Sequence, residues 1–157
     1  MNRKIFGLAT LTLFIDQVTK IIMNILMQSG DKIPIIKNFF ALELIENYGA
    51  AWSVFNYKVE LLIVASIIAL FIVYRYMYSF KKNKRNNLAF GILLGGIFGN
   101  LIDRIFLGYV RDFLSFQFFS YHYPIFNVAD IAIVVGVLLL TIAILKGEDK
   151  HEKNSSN

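Results

Sequence analysis

The chain has 157 residues, is 57% hydrophobic and 15% aromatic, carries a net charge of +5 and has a mean hydropathy of +0.58. Soluble domains average about 45–50% apolar, so the composition points to a membrane protein, and the length fits one domain. Cysteine is absent, which excludes disulfides, thiolate metal sites and cysteine nucleophiles. With two histidines and no HExxH pattern, a zincin-type metal site is not expected either.

The chain opens MNRKIFGLATLTLF, a positive start before an apolar run, like a signal peptide. Asp16, Gln17 and Lys20 interrupt the run and no small-x-small cleavage site follows closely, so residues 5–26 read as an uncleaved first span. Residues 27–60 form a long segment that is not helical throughout. Within it FFALELIEN alternates, with Phe40, Leu42 and Leu44 on one face and Glu43 on the other, which predicts a short strand lying on the bilayer surface. NYGAAWSVF follows, with a turn-forming Asn-Tyr-Gly and the only tryptophan, Trp52. Further spans are expected over 61–80, 88–107 and 125–145, each about the 20 residues that cross a hydrocarbon core. The five glycines of GILLGGIFGNLIDRIFLG (Gly91, Gly95, Gly96, Gly99 and Gly108), along and just past the third span, read as sites of close helix packing. The second connecting segment, GYVRDFLSFQFFSYHYP, is aromatic-rich, as an interfacial segment would be. The fold expected is an integral membrane protein, mainly α, with four transmembrane helices and a small outer-surface β-sheet and loop element. Residues 1–146 form one membrane domain, and 147–157 a charged, disordered tail.

Lysine and arginine favour the cytoplasmic side of a bilayer. With both termini inside, ten lie on the inner side and four (Lys32, Lys37, Lys58 and Arg111) on the outer, with Lys20 and Arg104 within spans. The basic runs sit beside spans and lack a stacking-aromatic groove, so nucleic acid is not an expected partner.

The polar residues inside the spans concentrate at one depth. At about 1.5 Å rise per residue, Asp16 lies about 17 Å from the inner end of its span, Asp130 about 22 Å, and Lys20 and Arg104 about 23–24 Å, in a core about 30 Å thick. Asp112 falls just beyond the third span, and Asn127 and Asp130 open the fourth. Each has a structural reading: Asp16–Lys20 as a self-neutralising i, i+4 pair, Asp103–Arg104 as a helix anchor, Asn127 as a helix cap, Asp130 as a first-turn acid. Their number at one depth favours a shared site near the outer surface.

No serine lies in a GxSxG context, so a Ser-His engine is a poor fit. Two carboxylates sharing a site can hold one proton between them, one activating water while the other binds the scissile carbonyl. Asp112 and Asp130 are the natural pair. Asp16 and Asp103 sit deeper beside cations and would more readily stay ionised. A transporter using Asp16, Lys20, Asp103 and Arg104 as a relay, or an inactive binding protein, are the other readings of the same residues.

Five motifs in order, DQVTK at 16–20, ENYGAAW at 46–52, GNLIDR at 99–104, VRDF at 110–113 and FNVADIAI at 126–133, closely resemble the bacterial lipoprotein signal peptidases, or signal peptidase II. The resemblance covers residues 5–145. It implies an aspartic endopeptidase of the inner bacterial membrane with its active site near the outer face; a monomer is expected. The substrate implied is a diacylglyceryl-modified prolipoprotein, cut just before the lipidated cysteine, with no cofactor or metal. By motif position the catalytic pair would be Asp112 and Asp130. Asp16, Lys20, Asn47, Gly49, Asn100, Arg104, Asn127 and Ala129 match the other motif positions; Asn47 and Arg104 would hold substrate backbone and the rest would position the pair. The outer strand region resembles the family's cradle-like sheet, and residues 46–55 its mobile element over the site.

Overall fold

The computed structural model describes residues 3–49 and 58–149. It contains helices α1 (Arg3–Leu26), α2 (Val59–Tyr76), α3 (Lys84–Leu107) and α4 (Val128–Leu145), and strands β1 (Lys32–Ile36), β2 (Phe40–Asn47), β3 (Val110–Phe118) and β4 (Tyr121–His122). All four helices are long and apolar enough to cross a bilayer. Their number is as expected from the sequence, but three boundaries move by three residues or more, each for a local reason. α2 ends at Tyr76, and Phe80 instead bridges to Asp149. α3 begins four residues early, because the Asn83 side chain accepts a hydrogen bond from the Asn86 amide and caps it. α4 begins three residues late, because Phe126 is held in a β-bridge to Leu114 and Asn127 serves as its cap.

α3 is the centre of the bundle, with α1, α2 and α4 packed around it. Glycines make this close packing possible. A Cβ at Gly95 would lie 2.6 Å from the Ala9 carbonyl oxygen of α1, and one at Gly96 2.6 Å from the Ala129 carbonyl oxygen of α4. One at Gly99 would strike the Asp16 carboxylate, so this glycine leaves the space that Asp16 fills. Gly108 does not belong to this packing set: it ends α3 with φ at 81°, the left-handed conformation that a glycine adopts without strain. The outward faces of α2 and α4 carry exposed Leu, Ile, Val and Phe, the surface that hydrocarbon would solvate.

The strands form one antiparallel sheet in the order β1-β2-β3-β4. The simple alternation expected of β2 is not kept. Its buried residues are Ala41 and Leu44, and its register against β3 slips between Leu42 and Ile45, so one extra residue reverses the inward face. β3 was expected only as an interfacial segment; it is a nine-residue strand whose residues Val110–Phe113 are buried on both faces. Phe116 stacks on Phe40 and on Phe126, with ring centroids 4.7 and 5.6 Å apart, and so ties β2, β3 and the approach to α4 together.

At the opposite end Ile5, Ala9, Met77, Phe80, Phe90, Leu94 and Ala143 form an apolar cluster. Glu148, expected in the disordered tail, is instead fixed there. Its carboxylate meets Arg85 at 2.6 Å and accepts from the Asn83 and Asn86 side-chain amides at 2.7 and 2.9 Å. The remainder of the expected tail, Trp52, and most of the expected mobile element lie outside the described residues.

Candidate active site

Asp112 and Asp130 are 18 positions apart and belong to a strand and a helix. What joins them is the bridge between Leu114 and Phe126: the Leu114 amide donates to the Phe126 carbonyl at 2.8 Å, and the Phe126 amide returns a bond to Leu114 at 3.2 Å. That bridge lays the first residue before the α4 cap alongside β3, so the buried Asn127 side chain touches both acids. Its Nδ2 donates to Asp112 Oδ1 at 2.6 Å. Its Oδ1 accepts from the Asp130 amide at 3.0 Å, while Asp130 Oδ2 accepts from the Asn127 amide at 3.2 Å. Asn127 and Asp130 are therefore a reciprocal helix cap as expected, and the same cap spans the two carboxylates.

The remaining carboxylate oxygens are also held by amides. Asn47 Nδ2 donates to Asp112 Oδ2 at 2.7 Å, and Asn100 Nδ2 donates to Asp130 Oδ1 at 2.7 Å. Among the described residues neither acid makes an ion pair. Asp112 is 1% exposed. Burial, with the neighbouring Asp130 carboxylate, pushes Asp112 up to about 7 against the opposing pull of Asn47, Asn127 and Lys20. Asp112 is thus placed to carry a proton near neutral pH.

Behind this pair lies a second group, with different chemistry. Lys20 is fully buried, 2.9 Å from Asp16 and 3.4 Å from Asp103. Its Nζ also donates to Asn100 Oδ1 at 3.0 Å, which turns the Asn100 amide nitrogen toward Asp130. Asp16 Oδ1 accepts from the Ala129 amide at 2.9 Å, satisfying an orphan donor of the first turn of α4. Asp103 binds Arg111, not Arg104: the Arg111 guanidinium reaches it at 2.7 and 3.1 Å. Arg104, one residue on, turns the other way and donates to the Gly49 carbonyl at 3.3 Å. Asp103 and Arg104 are therefore not paired with each other, and the alternative relay of Asp16, Lys20, Asp103 and Arg104 is not continuous, since Arg104 faces the cavity.

A cavity of about 700 Å³ opens beside the acids. Asn47, Asn100, Arg104, Asp112 and Asp130 line its polar end. Leu62, Ala65, Ser66 and Ala69 of α2 and Ile131, Val134 and Val135 of α4 line its apolar length. α2 packs on α3 without comparable contact to α4, so the cavity follows a gap between two membrane-facing helices.

All ten residues singled out from the sequence fall in this region. Asn47, expected to hold substrate backbone, has both side-chain ends engaged, with Asp112 and with the Gly49 amide at 3.0 Å. Two members were missed. Gln17 looked like a mere interruption of the first span, yet it bonds Asp103, the Gly99 carbonyl and Arg111 at 3.0–3.1 Å. Arg111 was counted as an outer-side charge. The signal for it was charge balance, since two buried aspartates with one buried lysine leave a negative charge unmatched.

Four helices of membrane length around a cavity lined by two carboxylates define a membrane-embedded protein with a polar site between its helices. A family model for signal peptidase (SPase) II matches residues 8–146. A lipoprotein signal peptidase of Clostridium acetobutylicum is 38% identical over 142 residues, covering 89% of this chain and 92% of that one. Another, from Bacillus pumilus, is 37% identical over 155 residues, covering 95% and 97%. A bacterial membrane enzyme solved by the in meso method at 2.3 Å resolution superposes with a TM-score of 0.82 at 33% identity, covering 98% of this chain and 93% of its own. The chain belongs to the signal peptidase II family and is a peptidase.

Proposed function

We propose that this peptidase removes the signal peptide from diacylglyceryl-modified prolipoproteins, just before the lipidated cysteine, and that Asp112 and Asp130 activate the water. The observation that carries this reading is the pairing of two amide-held carboxylates with an apolar cavity leading from them between α2 and α4. A signal helix fits the apolar length of that cavity, and the scissile bond of a lipid-anchored precursor lies at the membrane surface, where the acids sit. The relatives' name, lipoprotein signal peptidase, supports the same substrate class.

In this mechanism Asp130 removes a proton from water as the oxygen attacks the scissile carbonyl carbon. Asp112, protonated, donates to the carbonyl oxygen, and a tetrahedral diol results. Collapse breaks the C–N bond: Asp130 returns its proton to the departing amine and Asp112 recovers its own from the diol. The products are a signal peptide carboxyl and a new N-terminal cysteine amine. Arg104, on the cavity wall, is placed to bind substrate carbonyl groups. The protein lies in the cytoplasmic membrane as a single domain and a monomer, with both termini inside and the acids toward the outer face, in keeping with its lysine and arginine distribution.

The test is cleavage of one prolipoprotein, with and without the diacylglyceryl group, by wild type and by folded Asp130→Asn. Cleavage of the lipidated form alone, lost in the variant, is expected. Equal cleavage of both forms would overturn the substrate class, and normal turnover by the variant would overturn the mechanism.

A further inference from the structure

β3 presents alternate residues to opposite sides. Asp112 faces the cavity, and Arg111, immediately before it, faces the seam between α1 and α3. There the Asp103 carboxylate grips Arg111 three times: by the backbone amide at 3.1 Å, by Nε at 3.1 Å and by Nη2 at 2.7 Å. Nη2 also donates to Gln17 Oε1 on α1 at 3.0 Å. Arg111 is only 7% exposed, and Asp103 is fully buried. The strand is thus bolted to two helices one residue away from Asp112.

The same contact reaches the other acid. Asp103 lies 3.4 Å from Lys20, Lys20 donates to Asn100, and Asn100 donates to Asp130. Asp16 and Asp103 carry two negative charges, and Lys20 and Arg111 supply two positive ones. Without Arg111, Lys20 would face both carboxylates alone, and its hold on Asn100 would compete with a stronger pull toward Asp103.

We propose that Arg111 is a positioning residue for the peptidase reaction, setting the placement of Asp112 through β3 and of Asp130 through Asp103, Lys20 and Asn100. The proposal rests on the aspartate mechanism above. Arg111 does not line the cavity beside the acids, so its loss is expected to lower kcat and leave KM nearly unchanged. A displacement of about 1 Å at reacting groups costs up to about 100-fold in rate.

The experiment compares wild type with Arg111→Lys, Arg111→Met and the double variant Arg111→Met/Asp103→Asn, measuring kcat, KM and thermal unfolding. The double variant removes both charges together, so no buried carboxylate is left unmatched by the loss of arginine. Expected are a 10- to 100-fold fall in kcat for Arg111→Met with KM within about threefold, a smaller fall for Arg111→Lys, and a double variant that recovers unfolding temperature but not kcat. Wild-type kcat in folded Arg111→Met, a loss confined to KM, or recovery of kcat together with stability in the double variant would each overturn the proposal. If Arg111→Met does not fold, the double variant decides. Failure of the function reading shows separately, as wild type inactive on the lipidated precursor.

Discussion

Asp16 with Asp103, and Asp112 with Asp130, are two pairs of carboxylates built into neighbouring parts of one protein, and they are held by opposite means. The first pair is matched by Lys20 and Arg111 at 2.7–3.4 Å. Among the described residues the second pair is gripped by amides alone, from Asn47, Asn100 and Asn127. Amides align a carboxylate without neutralising it, so in the proposed mechanism Asp112, buried, and Asp130, half-buried, are left to share a proton. Cations bonded directly to both acids would hold both ionised and remove the acid half of an acid–base pair; Arg104, the cation on the same cavity wall, donates instead to the Gly49 carbonyl. Lys20 makes no direct bond to either acid of the second pair; it bonds Asn100, whose amide in turn donates to Asp130.

The largest effects are expected at the amide-held pair. Asp112→Asn or Asp130→Asn is expected to reduce cleavage by about 10³-fold or more, with circular dichroism and unfolding temperature showing a folded protein. In the charge-matched pair the expected loss is of stability. Lys20→Met leaves two buried carboxylates facing one arginine and should destabilise the fold by about 3–5 kcal/mol, measured by unfolding in detergent. Adding Asp16→Asn should recover part of it; no recovery would mean that Lys20 acts chiefly through packing.

The raised Asp112 gives a pH signature with a definite sign. In the unfolded chain its carboxyl ionises near 4, and in the fold at about 7. Between those values the unfolded chain releases a proton that the folded protein keeps. Stability therefore falls as pH rises through this window, by about 4 kcal/mol from this one group. Asp112→Asn should flatten that slope relative to wild type. For the same reason kcat/KM should decline as pH rises through about 7, as the pair gives up its shared proton. A rate that stays level from pH 6 to 9 with chemistry rate-limiting would contradict the proton assignment.

The smallest effect expected sharpens the boundary between the two pairs. Asn127→Ala removes a helix cap and one donor to Asp112, costing about 1–2 kcal/mol of stability. It should lower cleavage more than that stability loss explains, because the same side chain spans both acids. A variant that loses stability and keeps full activity would reduce Asn127 to a cap.

Much of the protein follows from the chain read locally. The four spans were legible because the cost of placing a segment in hydrocarbon is close to a sum over its own residues, and a run of about 20 suffices. The polar residues at one depth were legible because helical rise is constant, and β2 was legible as a strand, though not its inward face, which a register slip reverses. β3 was not legible as a strand. Val110, Arg111, Asp112 and Phe113 are all buried, so both faces find partners and no alternation marks them. Arg111 could pass for a surface charge because its partner, Asp103, lies eight residues back on a helix whose face no local pattern fixes.

What only tertiary structure decided is which acids meet and which cations meet them. Asp112 comes beside Asn127 through the bridge between Leu114 and Phe126, and Asp103 turns from Arg104 to Arg111 because β3 folds back over the end of α3. Sequence set the depth of each charge, since depth depends on position along one helix. Pairing depends on the rotation of several elements about one another, and that was settled by close packing: Gly96 against Ala129, Gly99 around Asp16 and Phe116 between Phe40 and Phe126.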